Sequence, residues 1–221
     1  MNTIVADNPI LASAEHLARV ISTHLAAGEH VLWLLSGGSG SNVVLETAKL
    51  LSSVNLQNLS VTLTDERFGP VGHPDENWQH FLDRDFILPG ATLYRPLIAE
   101  DRHATTEAFA TWIEAHLNAS DYAIGLFGIG GDGHTAGIKP HSTAVDAPTW
   151  AADFTGDDFE RITITPRAIS QLDEAVIQAS GADKTQTLNT LLHSVVDINE
   201  QPAQILKSVP VCALYTDNKE L

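Results

Sequence analysis

Short apolar runs, each followed by a glycine-containing polar turn and then by a segment of helical spacing, recur along this chain. The clearest runs are Val31–Leu35 and Tyr122–Phe127. Runs of this length and composition are typical of strands that are buried on both faces. Outside these runs, apolar residues recur at helical spacing, for example over residues 9–27. Strands separated by helices predict βαβ units, and so a mainly parallel sheet with helices on both faces.

The rest of the chain continues this alternation. Further strands are predicted at 61–64, 161–165, 175–179 and 211–215, and further helices at 42–51, 77–84, 104–117, 184–192 and 201–207. Segment 141–160, rich in Ala, Asp, Thr and Pro, has no clear period and is predicted to be a surface loop or a lid. The length of 221 residues suits a single α/β domain over 1–221.

Composition narrows the classes of function. The net charge of −16, from 28 acidic and 12 basic side chains, argues against binding to nucleic acid or to an anionic membrane surface. No apolar run approaches the roughly 20 residues that span a bilayer, and the N-terminus lacks the features of a signal peptide. The single cysteine, Cys212, is expected to be a buried thiol. We expect a cytoplasmic protein that binds a small molecule and is a monomer or a small homo-oligomer.

The first polar turn, Ser-Gly-Gly-Ser-Gly-Ser at 36–41, links a predicted strand to a predicted helix. Gly37, Gly38 and Ser39 could present backbone N–H groups and a hydroxyl to a phosphate at the helix N-terminus. The turn lacks the Gly-Lys-Ser/Thr of a P-loop and the Gly-x-Gly-x-x-Gly of a dinucleotide site. The alternative is a strand-to-helix turn capped by serine.

A second polar motif, Thr-Asp-Glu-Arg at 64–67, follows the next predicted strand. The guanidinium of Arg67 could bind a phosphate in bidentate fashion, and Asp65 and Glu66 could orient it or do acid–base work. The alternative is a surface arginine paired with its neighbours.

The third motif, Gly-Ile-Gly-Gly-Asp-Gly-His-Thr-Ala at 128–136, follows the strand at 122–127. His134, with Asp132 two residues before it, could be a general base held by a carboxylate. Gly131 allows the backbone to approach a ligand. The alternative is a tight turn whose polar residues satisfy local backbone groups.

In the fourth motif, Lys184 opens a helix after the strand at 175–179. A cation is unfavourable at that end of a helix unless an anion binds there, although a solvated lysine is a fair alternative. All four motifs follow predicted strands, whose ends share one edge of a parallel sheet, so one common site is expected. The ten histidines show no zinc-like spacing, and neither a metal nor another cofactor is expected.

Together these motifs resemble those of the 6-phosphogluconolactonase family, a branch of the glucosamine-6-phosphate isomerase/deaminase group of sugar-phosphate enzymes. The resemblance covers most of the chain and consists of residues 36–39, 65–67, 73–74 with Asn77, 130–136 with Pro140, 161–163 and 181–184. It implies a Rossmann-like α/β fold and an enzyme that hydrolyses 6-phosphoglucono-δ-lactone to 6-phosphogluconate in the pentose phosphate pathway, without a metal.

The chain departs from the family pattern in three places. Gly40-Ser41 stand where the family usually has Thr-Pro, Glu76 stands for a serine, and Gly137-Ile138-Lys139 stand for Ser-Leu-Phe. The deaminase branch is similar in its Asp-Gly-His block but has a glutamate for ring opening where this chain has Lys139, and a tyrosine where it has Arg67. Both differences favour the lactonase branch.

The residues themselves are compatible with three functions. The first is hydrolysis of a phosphorylated sugar lactone, with His134 as general base. The second is an isomerase or deaminase for an amino-sugar phosphate, which would need Asp65 as a carboxylate base and another acid for ring opening. The third is a sugar-phosphate sensor that retains the cradle without catalysis.

Overall fold

A seven-stranded parallel sheet is the centre of the computed structural model, which describes residues 1–98 and 100–221. The strands in the described residues are β1 (Asn2–Val5), β2 (Val31–Leu35), β3 (Leu59–Leu63), β4 (Asp65–Arg67), β5 (Thr92–Leu93), β6 (Tyr122–Phe127), β7 (Ala151–Thr155), β8 (Glu160–Ile164), β9 (Glu174–Gln178) and β10 (Val211–Thr216). The sheet has the order β1-β10-β9-β6-β2-β3-β5, and every pair in it is parallel. The predicted fold class is confirmed.

Helices cover both faces of this sheet. They are α1 (Pro9–Ala26), α2 (Ser41–Leu50), α3 (Asn77–Leu82), α4 (Arg102–Ala119), α5 (Pro166–Ile169) and α6 (Thr185–His193), with 3₁₀ turns at Gly38–Gly40, Ala182–Lys184 and Pro202–Ser208. Successive side chains of a strand point to opposite faces. In β2, Val31, Trp33 and Leu35 join the hydrophobic cluster under α1–α3, whereas Leu32 and Leu34 join the cluster under α4–α6. This double burial explains why β2 has no polar residue.

A second, antiparallel sheet of three strands, in the order β4-β8-β7, lies beside the carboxyl edge of the first. The strand predicted at 161–165 is β8, and it belongs to this small sheet. The prediction of a loop or lid over 141–160 is wrong for Ala151–Thr155, which form β7. The pattern of β7 is weak, and its conformation comes from pairing with β8 over all five residues.

The other predicted elements agree with the structure to within a few residues, and the helix predicted at 201–207 is a 3₁₀ helix over Pro202–Ser208. The short elements β1, β4, β5 and α5 were not predicted. Cys212 is buried, and this burial raises the pKa of its thiol to about 11. Among the described residues, no helix has both the length and the apolar character needed to cross a membrane.

Candidate active site

A cleft of about 330 Å³ lies at the carboxyl ends of β2 and β6, between the two sheets. Most of the predicted site residues line it: Gly37, Gly38, Ser39, Asp65, Arg67, His134 and Lys184. The four motifs, distant in sequence, therefore meet in one place as expected. One detail differs, because Arg67 is part of β4 rather than the end of a strand of the parallel sheet.

The glycine loop between β2 and α2 forms one wall of the cleft. Gly37 contacts the side chain of Asn77 so closely that an added Cβ would lie 2.3 Å from its Cγ atom. Gly38 has a positive φ of 52°, which favours glycine. The Ser41 hydroxyl donates to the carbonyl of Gly38, and in the described structure no side chain caps the first N–H groups of α2. The helix N-terminus is thus left for an anion rather than capped by serine.

The turn after β6 positions His134. Gly130 and His134 are joined by a backbone hydrogen bond of 2.9 Å, and the imidazole folds back over Gly130. A Cβ on Gly130 would lie 2.1 Å from Nδ1 of His134, so this position requires glycine. The Thr135 hydroxyl donates to the carbonyl of Gly128 and anchors the turn to the end of the strand. A second glycine, Gly133, has a φ of 84°.

Asp132 holds the imidazole of His134. Nδ1 of His134 lies 2.5 Å from Oδ1 of Asp132, and the backbone N–H of His134 donates to the same oxygen at 3.1 Å. These hydrogen bonds, together with the charge of Lys139, hold the pKa of Asp132 well below its usual range. An ionised Asp132 requires the proton of a neutral imidazole on Nδ1, which leaves Nε2 with the free lone pair.

The second oxygen of this carboxylate is also occupied. Nζ of Lys139 lies 3.3 Å from Oδ2 of Asp132, and the lysine lines the cleft beside His134. The sequence identified Lys139 as a departure from the family but did not place it.

Two arginines face each other across the small sheet. Arg67 in β4 is the register partner of Arg161 in β8, and both side chains line the cleft. Their guanidinium carbons lie 5.0 Å and 5.4 Å from the ring centroid of Phe159. Like charges directly opposite each other destabilise an antiparallel pair, so this arrangement is typical of a site for an anion. Asp158 neutralises part of the charge, since its Oδ2 lies 2.6 Å from Nη2 of Arg161.

Arg161, Asp158 and Phe159 were not predicted as site residues. Arg161 belongs to the resemblance at 161–163, and that was the one signal for it. Its side chain is 9% exposed, and within the described part of the chain its buried Nε has no hydrogen-bond partner. An unpaired buried donor beside a cleft is costly, and a ligand that accepts a hydrogen bond there removes that cost.

Lys184 reaches the cleft from the 3₁₀ turn before α6. Its Nζ lies 2.5 Å from the carbonyl oxygen of Ile129, so the ammonium is held at the turn that carries His134. Gly131, predicted to contact the ligand, does not line this cleft. Its carbonyl instead accepts a hydrogen bond of 2.7 Å from Thr187 in α6, which turns it towards a neighbouring surface cleft.

Beneath the cleft, the carboxylate of Glu66 joins β4 to α3. It accepts backbone hydrogen bonds from Arg67, Asn77 and Trp78 at 2.7–2.9 Å. Burial, opposed by these hydrogen bonds, raises its pKa to about 8. In the described residues, no group of three or more His, Cys, Asp or Glu side chains is arranged to hold a metal ion.

The fold and the cleft define a class of α/β protein in which positively charged side chains form a site for an anion. Beside that site lies a histidine that is hydrogen-bonded to a carboxylate. The chain belongs to the family described as glucosamine-6-phosphate isomerases/6-phosphogluconolactonase, whose model matches residues 6–213. A 6-phosphogluconolactonase of Pseudomonas aeruginosa is 27% identical over 218 residues, which cover 90% of this chain and 86% of that protein.

Solved structures show the same fold. A 6-phosphogluconolactonase from Thermotoga maritima superposes with a TM-score of 0.83 at 18% identity, covering 97% of this chain and 98% of the other. A monomeric glucosamine-6-phosphate deaminase superposes with a TM-score of 0.78 at 18% identity, covering 99% and 98%. The fold is therefore shared by both branches of the family.

Proposed function

We propose that this chain hydrolyses 6-phosphoglucono-δ-lactone to 6-phosphogluconate, as a cytoplasmic enzyme of the pentose phosphate pathway. The observation that carries the proposal is the imidazole of His134, which lines the same cleft as Arg67, Arg161 and Lys184 and is held from outside that cleft by Asp132. A base and an anion site in one cleft suit a substrate that has a phosphate at one end and a reactive carbonyl at the other. The name of the Pseudomonas aeruginosa relative supports the same assignment.

In this proposal His134 is the general base. Its Nε2 accepts a proton from water while the water oxygen bonds to the lactone carbonyl carbon. The tetrahedral intermediate then breaks the bond from that carbon to the ring oxygen, and the imidazolium returns the proton to the departing oxygen. Asp132 orients the imidazole and stabilises its charge, as carboxylates do in other acid–base pairs. General-base assistance of this kind contributes about 10²–10⁴-fold.

The phosphate is proposed to bind between the glycine loop and the arginine pair. Gly37, Gly38 and Ser39 supply backbone donors at the start of α2, and Arg67 and Arg161 supply the guanidinium groups. Lys184, which lies near the catalytic turn, adds a further positive charge. Asp65 lines the same cleft and is positioned to accept a hydrogen bond from a sugar hydroxyl.

The deaminase is the alternative function, because a deaminase shares the fold. That reaction needs an acid for ring opening, and the corresponding position in this chain holds the cation Lys139, paired with Asp132. Asp65 could supply a carboxylate base, but a lysine in this contact is a poor substitute for a carboxylic acid. The geometry therefore favours the lactonase.

A stopped-flow assay with freshly prepared 6-phosphoglucono-δ-lactone tests the proposal, with the uncatalysed hydrolysis measured in parallel. We expect turnover well above the background, and no release of ammonia or formation of fructose 6-phosphate from glucosamine 6-phosphate. The reverse pattern would assign the chain to the deaminase branch. Binding of both compounds without turnover would indicate a sensor.

A further inference from the structure

Lys139 has an arrangement that the proposed function does not use. Its side chain is 31% exposed and stands between the catalytic cleft and a second cleft of about 520 Å³. It is followed by Pro140, which restricts its backbone to extended conformations. Asp132 accepts from His134 on one oxygen and from Lys139 on the other, so a single carboxylate serves two cationic partners when the imidazole is protonated.

We propose that Lys139 is a positioning residue that keeps His134 in its neutral, proton-accepting form at lower pH than the pair with Asp132 alone would allow. The inference rests on the proposed function for its consequence, because an unprotonated imidazole is what the general base requires. The ammonium acts through the carboxylate of Asp132 and need not touch the substrate.

The effect of Lys139 on the imidazole is electrostatic. A carboxylate beside an imidazole favours the imidazolium, and a second cation beside them disfavours it. Because one carboxylate bridges them, Lys139 and the imidazole of His134 are no more than about 8 Å apart, a distance at which charges interact appreciably in a partly buried site. The charge of Lys139 also helps to hold the pKa of Asp132 below its usual range.

Other charged groups line the clefts around the pair. The side chains that share the cleft with His134 are Asp65, Arg67, Asp158, Arg161 and Lys184. On the outer sides of Asp132 the titratable groups are His141, Asp157 and Glu200. In the described structure, the ion pairs of Asp132 are those with His134 and Lys139. A change at position 139 therefore removes a direct ion pair of Asp132, which a change at these other groups does not.

An NMR titration of the His134 imidazole in the whole unligated protein tests this without reference to activity. The signal is assigned by its loss in His134→Gln. The variants are Lys139→Met, which removes the charge at similar length, and Lys139→Arg, which keeps it. Lys49→Met is the matched control, because it removes one exposed positive charge on α2, far from the cleft.

We expect the midpoint of the His134 titration to rise by about half a pH unit to one unit in Lys139→Met. Lys139→Arg and Lys49→Met should stay within about 0.2 unit of the parent, and added salt should reduce the shift of Lys139→Met. An unchanged midpoint in Lys139→Met, or the same shift in Lys49→Met, overturns the inference.

The pH dependence of kcat/KM for 6-phosphoglucono-δ-lactone gives a second measurement, namely the position of its acid limb. It should move to higher pH by the same amount in Lys139→Met, because removal of the cation lets the imidazole take up a proton earlier. A shifted NMR midpoint in a protein that has no lactonase activity would refute the proposed function and leave the role of Lys139 intact. A shifted midpoint with an unmoved acid limb would show that His134 is not the base.

Discussion

Gly130 is the residue on which the geometry of the Asp132–His134 pair depends. The imidazole of His134 and the carboxylate of Asp132 both lie in the space that a side chain at position 130 would occupy. At position 131, by contrast, nothing lies within 4 Å of an added Cβ. Two adjacent glycines in one turn therefore differ sharply in what they tolerate.

We expect Gly130→Ala to reduce kcat by at least about tenfold, because the methyl group displaces His134 from its contact with Asp132. Gly131→Ala is the matched control and should stay within a few-fold of the parent. Stopped-flow kinetics of both variants, with circular dichroism to check folding, measure the effect. Equal activities in the two variants would show that this placement of His134 is not needed.

Arg67 tests the anion site. Arg67→Ala should raise KM for the phosphorylated lactone about tenfold or more and leave the hydrolysis of unphosphorylated gluconolactone nearly unchanged. Arg19→Ala serves as the control, since this exposed arginine of α1 contacts His16 and does not line the cleft. An equal loss on both lactones would contradict a role in binding phosphate.

The sequence could predict the position of several residues that follow a strand of the parallel sheet, although Gly131 and Asp132 do not line the cleft. His134 and Lys184 could be placed in advance because the carboxyl ends of parallel strands share one edge. Arg161 could not, because its position opposite Arg67 depends on the antiparallel register of β4 and β8. That register joins segments far apart in sequence, and the periodicity of either strand alone does not specify it.

At the scale of elements, Glu66 links the small sheet to the helix beside the glycine loop. Its buried carboxyl accepts backbone hydrogen bonds from β4 and from the first turn of α3. Burial raises its pKa from 4.5 to about 8. Between pH 4.5 and about pH 8, the folded protein therefore keeps a proton on Glu66 that the unfolded chain has released.

This proton gives the pH dependence of stability a definite sign. The stability contributed by Glu66 is fully present below about pH 4.5 and is lost as pH rises through about 8, by at most about 1.4 kcal/mol per pH unit. Urea unfolding at pH 5 and pH 8 should show the parent losing stability relative to Glu66→Gln at the higher pH. An equal difference between the two proteins at both pH values would contradict the raised pKa.

Helices and strands could be predicted from the sequence where their own hydrophobic pattern is strong. β2 and β6 are apolar because both of their faces are covered. α1 begins after Asn8, whose side chain accepts a hydrogen bond from the backbone N–H of Leu11 and so caps the helix. β4 has three residues and β7 has a weak alternation, so pairing with β8 determines both strands. Local propensity is a poor guide where tertiary pairing decides.

At the scale of the whole molecule, the net charge of −16 contrasts with the cationic groups gathered in one cleft. A ligand that binds only the folded state stabilises it, by about 2.7 kcal/mol at 100 times its Kd. We expect 6-phosphogluconate at that concentration to raise Tm by roughly 5–10 °C, measured by differential scanning calorimetry. Gluconate at the same concentration should have little effect, and equal shifts would argue against a phosphate site.

In the proposed mechanism His134, held by Asp132, is the base that activates water in this cleft. The most direct test is the kcat of His134→Gln on 6-phosphoglucono-δ-lactone, with the uncatalysed rate subtracted. His103→Gln, an exposed histidine of α4, is the control. We expect a loss of at least about 100-fold for His134→Gln and none for His103→Gln. A folded His134→Gln protein that keeps kcat within a few-fold of the parent would contradict it.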